Sequence, residues 1–136
     1  MSSLVQGIHH VALKCGDSAE FERVISFYRD LLGLKVLRTW GQGAKGGIML
    51  SASGEDGGDI IEIFASGKEA EGFGGINHFA FTAEDVDACL DTVRAAGYEI
   101  TDEAHDVTIP SNPPLPIRCG FCSGPLGESI EFFHIY

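Results

Sequence analysis

Gly7-Ile8-His9-His10-Val11-Ala12-Leu13 returns later in the chain as Gly75-Ile76-Asn77-His78-Phe79-Ala80-Phe81, an offset of 68 (75 − 7). Asp17 and Asp85 keep that offset, each just ahead of a helical pattern. After those patterns Gly33-Leu34-Lys35-Val36 answers to Gly97-Tyr98-Glu99-Ile100, now at an offset of 64 (97 − 33), so the second helix is about one turn shorter. Two copies at so long a period describe a duplicated half-domain rather than a solenoid. The 136 residues suit one compact domain, 1–136, with module 1 at about 1–67 and module 2 at about 75–136.

Each half reads as strand, helix, then three strands. In the first, a strand near Ile8 to Lys14 precedes a helix capped by Asp17 or Ser18, with Glu20 three residues after Asp17 as in a capping box. Phe21, Val24, Ile25, Tyr28, Leu31 and Leu32 recur at helical spacing as one buried stripe, which Gly33 ends. Leu34 to Trp40, Ile48 to Ala52 and Asp59 to Ala65 follow as strands. The second half repeats the plan with a strand Ile76 to Thr82 and a helix carrying Val86, Cys89, Leu90 and Val93, closed by Gly97. Strands near Tyr98 to Val107, Ile117 to Cys122 and Ser129 to Ile135 complete it. Ile109 to Pro116 holds four prolines, which have no N–H to donate, and reads as a loop, a connector or a rim over a site. Gly67 to Gly74 reads as the linker between halves.

Strand side chains alternate, so parity decides which residues share a face. Ile8, His10, Ala12 and Lys14 share one side of the first strand; His9, Val11 and Leu13 share the other. In Ile60-Ile61-Glu62-Ile63-Phe64 both faces are apolar, so this strand is covered on both sides and one side packs on the helix. Glu62 lies in the middle of it, and Glu131 lies likewise in Ser129-Ile130-Glu131-Phe132-Phe133. A buried carboxylate without a partner costs several kcal/mol. Lys and Arg number only nine, few of them near these strands. A cation would satisfy both carboxylates.

His10 and Glu62 are 52 residues apart (62 − 10), and His78 and Glu131 are 53 apart (131 − 78). Each half therefore offers one imidazole and one carboxylate from equivalent first and last strands. A pseudo-twofold pairing of the halves would converge His10, Glu62, His78 and Glu131 as metal ligands. Two nitrogens and two oxygens with no thiolate suit a divalent ion of intermediate hardness; zinc, nickel, cobalt, manganese and iron(II) are all compatible, and ligand identity alone does not choose among them. His9 and His134 have the wrong parity and His105 a loop setting, so none is expected as a ligand.

A net charge of −11 disfavours nucleic acid and anionic membranes as partners. MSSLVQGIHH has no signal-peptide pattern, so a cytoplasmic location is the expectation. Cys119 and Cys122 form a C-x-x-C within a strand, which points the two sulfurs to opposite faces; with Cys15 and Cys89 they read as structural thiols.

These residues resemble the vicinal oxygen chelate superfamily, which includes glyoxalase I, fosfomycin-resistance thiol transferases, extradiol dioxygenases, methylmalonyl-CoA epimerase and bleomycin-resistance proteins. The resemblance is carried by Ile8-His9-His10-Val11-Ala12, by Phe27-Tyr28-Arg29-Asp30-Leu31-Leu32-Gly33-Leu34 and by Ile76-Asn77-His78-Phe79-Ala80. Gly124-Pro125-Leu126-Gly127-Glu128-Ser129-Ile130-Glu131 completes it, with Gly124 where the family usually has Asp. It implies an α+β fold of paired βαβββ modules, whose curved, partly closed mixed sheet surrounds a metal with the helices outside. A complete His, Glu, His, Glu set is most similar to glyoxalase I, a lyase that isomerises a 2-oxoaldehyde–thiol hemithioacetal through an enediolate. By the same resemblance Glu131 is the first choice for general base and Glu62 its symmetric partner. The resemblance also implies a small-molecule substrate, a thiol adduct among the candidates, and a homodimer. Lys14 stands where bacterial glyoxalase I usually has an arginine that contacts glutathione, and is the candidate substrate contact; the positions around Ser66 and Gly67 do not match that glutathione site. Other reactions of the superfamily, namely epimerase, thiol transferase or dioxygenase chemistry, and non-catalytic binding of a small molecule, are the alternatives.

Overall fold

A computed structural model describes residues 3–65, 75–124 and 127–136. The expected linker at 67–74 lies outside them. One mixed sheet of nine strands curls into a half-barrel with two helices on its outside. The strands are β1 (Val5–Lys14), β2 (Lys35–Trp40), β3 (Gly47–Ser51), β4 (Ile60–Phe64), β5 (Gly75–Ala83), β6 (Ile100–Ile109), β7 (Ser111–Asn112), β8 (Leu115–Ser123) and β9 (Ser129–Ile135). Their order in space is β6-β8-β9-β5-β1-β4-β3-β2-β7. The two halves meet at the antiparallel seam of β1 and β5, and each half then adds its last strand in parallel, β4 beside β1 and β9 beside β5. The paired-module fold implied by the sequence is the fold observed.

Helix α1 (Ser18–Ile25) starts at Asp17, whose carboxylate accepts from Glu20 N–H at 2.8 Å. The returning bond of the capping box lands one residue early, on Gly16 N–H at 2.9 Å. Helix α2 (Val86–Ala95) uses Asp85 in the same way, accepting from Ala88 N–H at 2.9 Å. Gly33 and Gly97 end the two helical stretches with φ of 83° and 92°, a backbone region that side chains disfavour.

The helices cover separate cores on the convex side. Phe21, Val24, Ile25 and Tyr28 pack with Cys15, Ile48, Leu50 and Ile63 under α1, whereas Val86, Cys89 and Leu90 pack with Ala83, Cys122 and Phe132 under α2. A third cluster of Ala80, Leu115, Ile117, Cys119 and Phe133 lines the concave side of the second half. Cys119 and Cys122 therefore do face opposite ways, and all four thiols are buried and free.

Two expectations need correction. Leu31 and Leu32 do not continue the buried stripe; they are 72% and 56% exposed. After Ile25 the chain widens into a π-turn over Ser26–Leu31, in which Leu32 N–H reaches Phe27 C=O at 3.0 Å, five residues back. That rephases the turn, so spacing by 3.6 stops predicting the buried face. The proline-rich segment is also not one loop. Ile109 ends β6, Leu115 and Pro116 begin β8, and Ser111–Asn112 pairs with Thr39 and Trp40 on the outer strand of the other half. Prolines near strand ends remove ladder bonds that those ends can spare. Because β6 and β7 are consecutive in the chain, this short strand ties one margin of the curled sheet to the other.

Gly120 sets how closely α2 approaches. A Cβ there would stand 2.5 Å from Leu90 Cδ1, 3.1 Å from the Asp102 carbonyl oxygen and 3.3 Å from Ala104 Cα. Gly120→Ala is expected to destabilise the protein by about 1–3 kcal/mol through overpacking, read as a lower urea midpoint at unchanged slope.

Candidate metal centre

Four neighbouring strands each contribute one polar side chain to the concave face: Glu131 on β9, His78 on β5, His10 on β1 and Glu62 on β4. Registry explains why they meet. Glu131, Ala80 and His10 lie in one row across the sheet, and His78, Ala12 and Glu62 lie in the next. Ala12 and Ala80, equivalent in the two halves, sit fully buried between each His and Glu. A methyl group there leaves space above the sheet for the imidazoles. The structure thus brings the four residues singled out in the sequence to neighbouring places on one face.

The four polar groups are nearly sealed from solvent, His10 at 1%, Glu131 at 5%, Glu62 and His78 at 6% exposure. His10 Nε2 lies 3.2 Å from His78 Nε2, and both stand 3.1 Å from Glu131 Oε1. Glu62 Oε1 is a little farther, at 3.4 Å from His10 Nε2 and 3.6 Å from His78 Nε2. Donors about 2.1 Å from a shared ion sit about 3.0 Å apart at right angles and about 3.4 Å apart at tetrahedral angles. The spacings among His10, His78 and Glu131 fall around those values, so these three fit a divalent ion, while Glu62 stands just outside their group. His10, His78 and Glu131 form the tightest group, with their ligand atoms within 4.8 Å of one another.

Burial pulls the His10 pKa below its usual value, despite the opposing pull of Glu131, and so favours the neutral imidazole that can bind metal. Burial also acts to raise Glu131, but the two imidazoles of His10 and His78 that face it hold it below the ordinary carboxylate value. Glu62 is pushed up to about 8, by burial first and by the Glu131 charge second. Cys119 lies against Glu131, and burial with that neighbouring carboxylate pushes its thiol up to about 12, leaving it protonated and unreactive.

Sequence parity placed His9 on the opposite face from His10, and this is corrected. In the β1–β5 pairing Ile8 faces Phe81 and His10 faces Ala80, so His9 is an extra, bulged residue. Its ring sits 4.4 Å from that of Phe133, which shares a face with Glu131, and its Nδ1 is 2.8 Å from His10 Nδ1. His9 is still outside the ligand set. On its far side His9 Nε2 is 3.0 Å from Asp56 Oδ1, while the buried Arg38 guanidinium pairs with Asp56 Oδ2. Burial raises Asp56, but hydrogen bonds from His9 and Arg38 outweigh it and hold the carboxyl below its usual range. Asn77 supports the other histidine, its Oδ1 lying 2.6 Å from His78 Nδ1. His9, Asn77, Asp56, Arg38 and Cys119 were all missed as site residues by parity and spacing.

Lys14 shares the face of its strand partner Phe64 but lies beyond the cluster, on a groove shared with Glu20 and Arg23. His105 Nδ1 contacts the Glu103 carbonyl oxygen and His134 Nδ1 that of Ala83, both away from the four ligands. The aromatic rings of Phe121 and Phe64 flank His78 at 5.2 and 6.3 Å, and Trp40 stands 5.9 Å beyond Phe64. The concave face is thus a polar cluster beside an apolar wall.

Comparison with known proteins agrees with this architecture. The family model of the Glyoxalase/Bleomycin resistance protein/Dioxygenase superfamily matches residues 7–111, and the chain belongs to that superfamily. It is 32% identical over 129 residues to a lactoylglutathione lyase of Haemophilus influenzae, covering 92% of this chain and 90% of that one. Among solved structures, methylmalonyl-CoA epimerase from Mycobacterium tuberculosis superposes with a TM-score of 0.73 at 23% identity, covering 98% of this chain and 91% of the other. The Mn(II)-bound glyoxalase from Novosphingobium aromaticivorans gives a TM-score of 0.74 at 24% identity, over 98% of this chain and 40% of its own. At these identities the structures establish the fold alone. The superfamily is largely enzymatic, and its members use divalent metals on small-molecule substrates. No helix among the described residues is long and apolar enough to cross a membrane.

A pKa of about 8 means that Glu62 carries a proton at neutral pH when no cation is bound. An ion taken up by all four ligands must expel it. Metal binding at pH 7 is expected to release about one proton per ion, with affinity rising as pH climbs to about 8 and levelling above. Calorimetry in buffers of different ionisation enthalpy measures the release, and Glu62→Gln should abolish it.

Proposed function

We propose that this chain is a metal-dependent lyase/isomerase of the glyoxalase I type, acting on the hemithioacetal of a 2-oxoaldehyde and a thiol. The observation that carries the reading is the meeting of His10, Glu62, His78 and Glu131 at ligand spacing on a buried concave face. Those four residues would hold the ion, with nickel, zinc or cobalt first and manganese or iron(II) also compatible. When bound, the ion supplies Lewis-acid stabilisation of the negative charge that develops on adjacent substrate oxygens.

The protein groups then manage one proton. Glu131 takes it from the carbon bearing sulfur and hydroxyl, and the electron pair moves towards the neighbouring carbonyl. The proton returns to that neighbouring carbon while the hydroxyl proton passes from the first oxygen to the second, so the first oxygen becomes the thioester carbonyl, the second a hydroxyl, and the change is an isomerisation. Glu62, on the symmetric strand, is the second carboxylate able to hold the proton. The rings of Phe64 and Phe121 exclude water from the reacting carbons and accept the apolar part of the substrate. Lys14, on the same face as Phe64, stays the candidate for an anionic end of the thiol.

The pair of carboxylates related by the pseudo-twofold axis favours a second reading, an epimerase that removes a proton with one glutamate and returns it with the other. Metal analysis of the purified protein, coupled to assays with methylglyoxal and several thiols, separates these readings. Thioester formation with regeneration of the thiol on hydrolysis supports the first. Absence of stoichiometric metal and of activation by nickel, cobalt or zinc would assign the chain to small-molecule binding. Glu131→Gln is expected to lower kcat by about 100- to 10,000-fold with the fold retained, and wild-type turnover in that variant removes Glu131 from the chemistry.

A further inference from the structure

Each histidine at the seam of the sheet is preceded by a residue that the ladder skips. In β1 the pairing steps from Ile8–Phe81 to His10–Ala80 and leaves out His9; in β5 it steps from His78–Ala12 to Ile76–Leu13 and leaves out Asn77. His9 and Asn77 are equivalent positions of the duplicated sequence. A bulge re-aims the side chain at the extra position. At both places that side chain meets Nδ1 of the following histidine, at 2.8 Å from His9 and 2.6 Å from Asn77.

We propose that His9, backed by Asp56 and Arg38, is a positioning residue that fixes His10 as its Nδ1–H tautomer and presents the Nε2 lone pair to the metal. This rests on the metal-centre reading given under the proposed function. The assignment follows from what each atom can donate. Asp56 is a carboxylate with Arg38 on its other oxygen, so it accepts and His9 Nε2–H donates. A neutral imidazole with its proton on Nε2 has a lone pair on Nδ1. The short contact between the two Nδ1 atoms is then filled only if His10 Nδ1–H donates to His9. His10 Nε2 is left as a bare acceptor, facing His78 Nε2 and the two glutamates. Contact with Phe133 holds the His9 ring in place.

The other half reaches the same end by a shorter route. Asn77 Oδ1 accepts from His78 Nδ1–H and leaves the Nε2 lone pair of that ring directed at the cluster, 3.2 Å from His10 Nε2. One ligand thus leans on a neutral amide and the other on a chain that ends in a partly buried ion pair. Partners of this kind orient a metal-binding imidazole and raise its basicity, and their loss typically weakens metal affinity about 10- to 100-fold.

The test uses the full-length protein, stripped of metal and labelled with nitrogen-15, and then titrated with cobalt(II) or with zinc against a chromophoric chelator. Long-range nitrogen–proton NMR spectra of the metal-free wild type should show His10 protonated on Nδ1 and His9 on Nε2. His9→Phe keeps the ring against Phe133 but removes the acceptor, and should weaken metal binding about 10- to 100-fold. His9→Asn copies the arrangement at Asn77 and should recover most of that loss. Equal affinity in wild type and His9→Phe, equal weakening in both variants, or a wild-type His10 with its proton on Nε2 would each overturn the proposal. If His9→Phe does not fold, the wild-type tautomers and the His9→Asn titration decide it. A wild type with the expected tautomers that binds no metal would sink the metal reading and leave the tether standing.

Discussion

Two carboxylates with at most 6% exposure share the concave face, and a charge placed there without a counter-charge costs several kcal/mol. Everything near the seam of the sheet answers to that constraint. The two imidazoles approach with their Nε2 atoms foremost, the only nearby cation among the described residues is the guanidinium of Arg38, and Arg38 is already engaged by Asp56. Without a metal ion, the protein relieves the strain by keeping a proton on Glu62 and leaving Glu131 to the histidines. A divalent ion at the centre would resolve the same conflict with both carboxylates ionised.

The sheet supplies the geometry that makes this arrangement attainable. Antiparallel pairing of β1 with β5 brings the two histidines side by side, and parallel addition of β4 and β9 puts one glutamate outside each. Alanines at the two crossing positions keep the floor low. The curl of the sheet then turns these strands into a trough, with Phe64, Phe121 and Trp40 along its sides and the helices confined to the outside. Duplication gives the site two-fold character, while the surrounding side chains break it: Asn77 stands where His9 does, and Cys119 lies against Glu131.

Much of this was legible in the amino-acid sequence because repetition and strand parity are exact where the backbone is regular. The repeated Gly-Ile-x-His motif located the seam strands, and the isolated glutamates in apolar strands located the ligands. Legibility failed where the backbone departs from regular geometry. The π-turn after Ile25 rephased Leu31 and Leu32, and the bulge at His9 cancelled the alternation on which its exclusion rested. A signal for the bulge was nevertheless present: His9 falls in a row with Val11 and Leu13, and Asn77 in a row with Phe79 and Phe81, rows that otherwise face the helices. A polar side chain at the same discordant position in both copies marks a local change of direction. Asp56 and Arg38 offered no such signal, since their contact joins a loop to a strand 18 residues earlier and depends on the fold itself.

The skipped position in β1 also makes losing a residue and replacing it two different perturbations. Substitution at His9 empties one place in the trough and leaves the pairing of the strands as it is. Deletion of the same codon would set Ile8 directly beside His10, opposite Phe81 and Ala80, which are already neighbours, so the ladder would close over the bulge with its partners kept and the local bend lost. Length, as well as chemistry, thereby matters at this point of the chain: the spare residue is what bends the strand and turns a second imidazole towards His10.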